Sequence, residues 1–330
     1  MIDFQTKVEL PLGEWQFGYA DRLMSFGSCF SEHIGNKLVE AKFACDVNPF
    51  GILYNPLSVA AALRDVLDGR RYGEDAPELF CAGGQWHSYM HHSRFSAASR
   101  EECLRLINGR LARAVEELAS LDVLLLTFGT ARVYRLADGR VVANCHKQPE
   151  RLFVRELVSV DAIVQEYRVL IDRLLAVRPS LHILFTVSPI RHARDGFHGN
   201  QVSKSVLLLA VERLCELYSC CHYFPSYEIQ LDELRDYRFY ADDMLHPSAL
   251  AVEYIWKCFC QTYLTDEARS LMAECLSIAR ALAHRPFHPE SSQYKSFLTQ
   301  ITLKIGRIME KYPTLDFKKE LELCRTRLKQ

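Results

Sequence analysis

The chain has 330 residues, 49% hydrophobic and 25% charged, with a formal charge of −1, which suits a globular protein with ample apolar material for a core. That balance gives no basic footprint for nucleic acid, so no nucleic-acid partner is expected. No stretch reaches the length of a membrane span and Met1 to Lys7 lacks a basic segment leading into an apolar one, so a cytoplasmic protein is expected.

In chain order, the apolar run Leu23 to Phe26 reads as a strand that gives way at Gly27-Ser28-Cys29-Phe30-Ser31 to a helix from Ser31 to Lys42, with Ile34, Leu38 and Val39 on one face. A Gly-containing turn between strand and helix holds a small nucleophilic side chain at a helix N-terminus, where backbone N–H groups stabilise negative charge. Cys45 to Asn48 follows as a short second strand. Leu104, Ile107, Leu111, Val115 and Leu118 recur at helical spacing before the buried-strand run Val123 to Phe128.

Asp138-Gly139, between Val- and Tyr-containing runs, reads as a hairpin turn inserted in this scheme. Ile163, Tyr167, Leu170 and Leu174 mark another helix, His182 to Val187 a strand, and about Val202 to Tyr218 a further helix. Apolar strands alternating with amphipathic helices predict a parallel sheet covered on both faces, with active groups at the strands' carboxyl ends.

Ala249 to Tyr254 begins the last helix of this alternation. From about Asp266 the pattern turns helical, with Leu271, Cys275, Ile278 and Leu282 at core spacing. A break at Pro286 to Pro289 precedes a second stripe through Phe297, Ile301, Ile305 and Ile308. These stripes must be buried either on the main domain or in a homodimer contact. The boundaries are therefore an α/β domain over 1–265 and a helical extension over 266–330. The twelve cysteines are scattered, with no C-x-x-C, and read as reduced thiols.

Asp243-Met244-Leu245-His246 places a carboxylate three positions before a histidine, a spacing at which it can fix the imidazole's tautomer and orientation. Asp242 is the adjacent alternative. His87 and His91, four apart in Trp86-His87-Ser88-Tyr89-Met90-His91-His92, would share a helix face suited to a metal ion. No third ligand is spaced to match, so no metal and no other cofactor is expected; Trp86, His91 and His92 are assigned to pocket lining, with a buried structural role open to the histidines. Arg191, His192 and Arg194, after the strand ending at Val187, stand on the site's rim, where they could bind an anionic group or simply be solvated. Ser203-Lys204 reads as a helix entry.

Three segments, Ser25 to Gly35, Asn48 to Pro56 and Asp243 to Ser248, together resemble the GSCFA family, itself similar to a branch of the SGNH (GDSL-type) hydrolases. The resemblance covers roughly 20–262. It implies a three-layer α/β/α flavodoxin-like fold and an esterase or acyltransferase site acting on a small-molecule, carbohydrate or lipid acyl ester.

Laid on the superfamily's Gly-Asp-Ser motif, Gly27-Ser28-Cys29 puts Cys29 at the nucleophile position, with Ser28 the alternative. A thiol at a helix N-terminus near a histidine is expected to have its pKa lowered into roughly 3.5–7.5. His246 would be the general base and Asp243 its orienting partner. Gly51 would supply an oxyanion N–H, with Asn48 beside it. The superfamily's Gly-x-Asn-Asp segment is here Gly129-Thr130-Ala131-Arg132, so Ala131 replaces an oxyanion donor, and Thr130 or Asn144 is the expected substitute. A binding protein that keeps the fold without the chemistry is the other reading left open.

Overall fold

The computed structural model describes residues 6–13, 15–284, 286–288 and 290–329. Its strands are β1 (Leu23–Gly27), β2 (Cys45–Val47), β3 (Leu79–Ala82), β4 (Gln85–Ser88), β5 (Val123–Phe128), β6 (Arg132–Arg135), β7 (Val141–Val142), β8 (Val154–Leu157), β9 (His182–Val187) and β10 (Cys221–Phe224). The main helices are α1 (Cys29–Glu40), α2 (Pro56–Leu67), α3 (Arg100–Leu118), α4 (Val160–Val177) and α5 (Gly196–Leu217). After the short α6 (Ser226–Glu228) come α7 (Ala249–Tyr263), α8 (Asp266–Ala283), α9 (Ser292–Lys311) and α10 (Lys318–Leu328).

Five strands form a wholly parallel sheet in the order β10-β9-β5-β1-β2. Counted along the chain this is the 2-1-3-4-5 order of flavodoxin-like folds. Side chains alternate across it with period two. Met24, Phe26, Leu124, Leu126, Ile183 and Phe185 pack against helices α2 to α5, whereas Leu23, Val123, Leu125, Leu184 and Phe224 face α1 and α7. The three-layer α/β/α architecture follows. No helix among the described residues is long and apolar enough to cross a membrane.

Two small antiparallel sheets are inserted near the carboxyl ends of the main strands. One is the Asp138-Gly139 hairpin of β6 and β7, extended by β8 on the other side of β6. The other is the β3-β4 hairpin, turned by Gly83 and Gly84, both at positive φ as a two-residue hairpin turn requires. His87 therefore lies on a strand, with Nδ1 2.6 Å from Ser96 Oγ. The helical i,i+4 pairing of His87 with His91 does not occur.

Some sequence readings need correction at residue level. Helix α1 begins at Cys29, and Val39 is 46% exposed, because one step beyond the buried Leu38 turns the side chain out of the stripe. Helix α5 starts at Gly196, ahead of Val202. On α9 Leu298 and Ile305 are fully buried, while Phe297 is 40% exposed and stacks on Tyr294.

The apolar stripes of α8 and α9 close on each other and on α10, a helix the sequence patterns missed, in a core that includes Ile305, Phe317 and Cys324. The break between α8 and α9 contains Pro286; Pro289 lies outside the described residues. Tyr19 packs against both this core and the one beneath α1 and α7, and Lys42 Nζ sits 2.7 Å from Glu320 Oε1 and 5.2 Å from the centre of the Phe317 ring. The helical extension thus docks on the main domain.

Candidate functional site

Strand β1 must deliver its last residue against β5 with no side chain. Gly27 has φ of 147°, and a Cβ there would meet the Thr127 carbonyl oxygen at 2.3 Å. The chain then turns into α1. Ser28 is the N-cap: its buried hydroxyl accepts the Phe30 N–H at 3.3 Å. Cys29 is the first helical residue, half-buried, and faces a cavity of about 500 Å³. Both candidate nucleophiles line this cavity, and they differ in that the Ser28 hydroxyl is also engaged as the helix cap.

Burial pushes the Cys29 thiol pKa upward, and the N–H groups of Cys29 and Phe30 together with Lys204 only partly offset it. The depressed thiol expected of a helix N-terminus is not what this environment gives. Such a thiol needs a base at the moment it reacts.

His246 lines the same cavity, on the segment after β10. The turn that holds it is built by Asp243. Oδ1 of Asp243 accepts the N–H groups of Leu245 and His246 at 2.9 Å each, while Oδ2 lies 2.5 Å from His246 Nδ1. Those two backbone bonds, then the imidazole, bring the Asp243 pKa down to about 2. With Nδ1 engaged, Nε2 is the nitrogen left for proton transfer. Met244 adopts a left-handed φ of 58° within this turn, and the Arg191 N–H bonds the Leu245 carbonyl at 3.1 Å, tying the turn to the loop after β9. Ser248 then caps α7.

The oxyanion candidates separate by how their hydrogen bonds are spent. The Gly51 N–H donates to Asn48 O at 2.8 Å inside a turn, and neither residue lines the cavity. Asn48 is buried, and its side-chain amide has no partner among the described residues. Gly129 and Thr130 both donate their N–H groups to Tyr54 O, at 2.7 and 3.0 Å. Thr130 does line the cavity, but its hydroxyl accepts the Arg132 N–H at 3.1 Å and lies 3.0 Å from Ser203 Oγ. Ala131 is fully buried, with its N–H on Ser203 Oγ at 2.8 Å. Asn144 lines the cavity with Oδ1 accepting from the His146 N–H.

His192, on the loop after β9, also lines the cavity. Its Nε2 is buried without a partner among the described residues and lies 3.1 Å from where a Gly129 Cβ would be. Burial, helped by Lys204, brings its pKa down to about 4, so the imidazole is neutral near pH 7. A neutral ring with its proton on Nε2 is a hydrogen-bond donor.

Of the remaining pocket residues, His92, Arg191 and Arg194 line the cavity, whereas Trp86 and His91 do not. His91 is 2% exposed, stacked on Phe50 at 4.5 Å and bonded through Nδ1 to Ser88 Oγ. Its pKa falls to about 3 through burial, marking a neutral structural histidine. Trp86 packs on the core, with Arg100 over its ring.

Ser203-Lys204 is not a helix entry, since α5 starts at Gly196, and beside the cavity but not lining it lies Lys204. It is 1% exposed, and its Nζ donates to Ser188 O at 2.5 Å. The spacing Lys204, Leu207, Val211, Leu214 puts it on the buried stripe of α5, the signal that could have found it.

The GSCFA family model matches residues 22–259, and the model of the GSCFA domain protein C-terminal domain matches 275–330. No curated protein matches the chain. Among solved structures, the chain is similar to a family 3 carbohydrate esterase from Clostridium thermocellum over 76% of its length and 98% of the other, at 15% identity and a TM-score of 0.33. It is similar to a carbohydrate esterase family 3 protein from Talaromyces cellulolyticus over 78% and 99%, at 11% identity and a TM-score of 0.30. With its N-terminal motif, its α/β core and the family model covering most of its length, the chain belongs to the GSCFA family.

Proposed function

We propose that the protein is an acyl-ester or thioester hydrolase, or an acyltransferase, that works through a thioester on Cys29. The observation that carries this reading is that Cys29, at the start of α1, and His246, held by Asp243, face one cavity at the carboxyl ends of the parallel strands.

In the first half-reaction His246 Nε2 takes the thiol proton as Sγ bonds to the acyl carbon, and the carbonyl electron pair moves onto oxygen. The Cys29 N–H and His192 Nε2–H receive that oxyanion, in place of the asparagine that Ala131 replaces. One such donor is worth about 2.7–4 kcal/mol of transition-state stabilisation. The tetrahedral species collapses, the C–O or C–S bond breaks, and the leaving alkoxide or thiolate takes the proton from His246. Water, or an acceptor alcohol, then gives a proton to His246 and attacks the thioester, and Cys29 departs to be reprotonated. Water as acceptor gives hydrolysis, and an alcohol gives transfer.

The test is turnover of a panel of activated esters and thioesters, with and without added alcohols, by wild type and by the Cys29→Ala, Ser28→Ala and His246→Ala variants. Turnover lost in the Cys29 and His246 variants but kept in Ser28→Ala supports the reading. Absence of turnover across the panel favours a binding protein.

A further inference from the structure

One stretch of the cavity lining is rich in arginine. Arg132 on β6, Arg155 on β8, and Arg191 and Arg194 after β9 all line it, against one lining carboxylate, Asp195. Asp195 Oδ1 lies 3.2 Å from Arg132 Nε, without hydrogen-bond geometry at that nitrogen, and Asp195 also pairs with Arg155. Glu150 takes up Arg194. Arg191 has no carboxylate partner among the described residues. Two positive charges are therefore left over in a partly enclosed site.

This wall is held in place and under-satisfied. The Asp195 side chain is 3% exposed, and the guanidinium of Arg155 lies 5.5 Å from the centre of the Tyr134 ring, that of Arg191 4.3 Å from that of Phe197. Nε of Arg155 and of Arg191 is buried with no acceptor among the described residues, and that of Arg132 meets Asp195 only off-axis. A buried donor left unpaired costs about 1–3 kcal/mol, so this wall is short of acceptors among the described residues. Guanidinium groups fixed by stacking present their donors in the planar fork that matches carboxylate and phosphate oxygens.

We propose that Arg132, Arg155 and Arg191 form a subsite for an oxyanion, a carboxylate or phosphate group on the substrate, so that the molecule brought to Cys29 is an anionic ester or thioester. The identification of this anion as part of a substrate rests on the acyl-transfer reading above; the binding itself does not. A cleft of one sign of charge also concentrates ligands of the opposite sign, so binding weakens as salt rises.

The experiment is titration calorimetry at low ionic strength with malonate and, separately, inorganic phosphate, on wild type and on Arg155→Gln and Arg191→Gln. Arg155→Gln leaves Asp195 with one arginine, so its fold is checked by circular dichroism; Arg191→Gln breaks no ion pair among the described residues. Saturable binding of at least one anion, weakened tenfold or more in Arg191→Gln, is expected, and the tighter anion identifies the group. No saturable binding of either anion, or binding by Arg191→Gln equal to wild type, overturns the subsite. Because no turnover is needed, a failure of the catalytic reading leaves this result intact and separately legible.

Discussion

Lys204 Nζ donates to the carbonyl oxygen of Ser188 at 2.5 Å, with the lysine side chain sealed between α5 and the loop after β9. Burial brings its pKa from 10.5 down to about 7, and a thiolate at Cys29 would raise it again. Between those two values the folded chain has released a proton that the unfolded chain keeps. The unfolded state then binds more protons, so this group's contribution makes stability rise with pH from about 7 toward 10.5. The cost of burying Lys204 is fully present below pH 7.

Replacing Lys204 with Met should therefore stabilise the protein most at pH 6. The advantage over wild type should shrink through the alkaline range by at most about 1.4 kcal/mol per pH unit. Denaturant unfolding of both proteins at several pH values measures this. A difference that stays constant with pH would contradict the buried cation.

Cys29 should behave as a hindered, high-pKa thiol in the free protein. Burial outweighs the helix N–H groups, so its alkylation by iodoacetamide should rise with a midpoint above 9 rather than reach a plateau near neutrality. The rate profile followed by peptide mass spectrometry decides it. A plateau by pH 7 would mean a preformed thiolate and no need for His246 as base in the first step.

Gly51 is required for space, not for its N–H. Its φ is 80°, and a Cβ there would lie 2.2 Å from His92 Cβ, whereas Gly139, at φ of 85°, has nothing within 4 Å. Gly139→Ala should cost about 1–2 kcal/mol from backbone strain alone. Gly51→Ala adds a backbone-anchored clash and should cost clearly more, displacing His92 at the cavity wall. Equal losses in a urea titration would count against this packing.

Phe317, fully buried, joins the core of the helical extension to Lys42 of the main domain. Phe317→Ala should cost about 3–5 kcal/mol in chemical unfolding. A loss under about 1 kcal/mol would mean that the extension does not depend on this contact.

The parallel sheet was legible because β1, β5 and β9 are apolar runs and helices α3 and α4 carry clean stripes. Gly27-Ser28-Cys29 and Asp243 to His246 were legible too, since each motif contains its own turn chemistry. The β3-β4 hairpin was missed although Gly83-Gly84 signals it, because His87 and His91 suggested helical spacing instead. Gly51 as a donor could not be tested in sequence, where nothing shows that its N–H is already spent on Asn48 O. Lys204 reads as part of a helix entry unless the α5 stripe is phased from Leu207, Val211 and Leu214. Asp195 with its arginines joins β6, β8 and the start of α5, a tertiary fact with no local signature.

The central claim is a covalent acyl group on Cys29, and intact-mass and peptide mass spectrometry after mixing with an activated ester test it most directly. The account predicts one added acyl group, mapped to Cys29, absent in Cys29→Ala, strongly slowed in His246→Ala and retained in Ser28→Ala despite a lost cap worth about 0.5–2 kcal/mol. An acyl group mapped to Ser28, or labelling of Cys29 unaffected by His246→Ala, would contradict it.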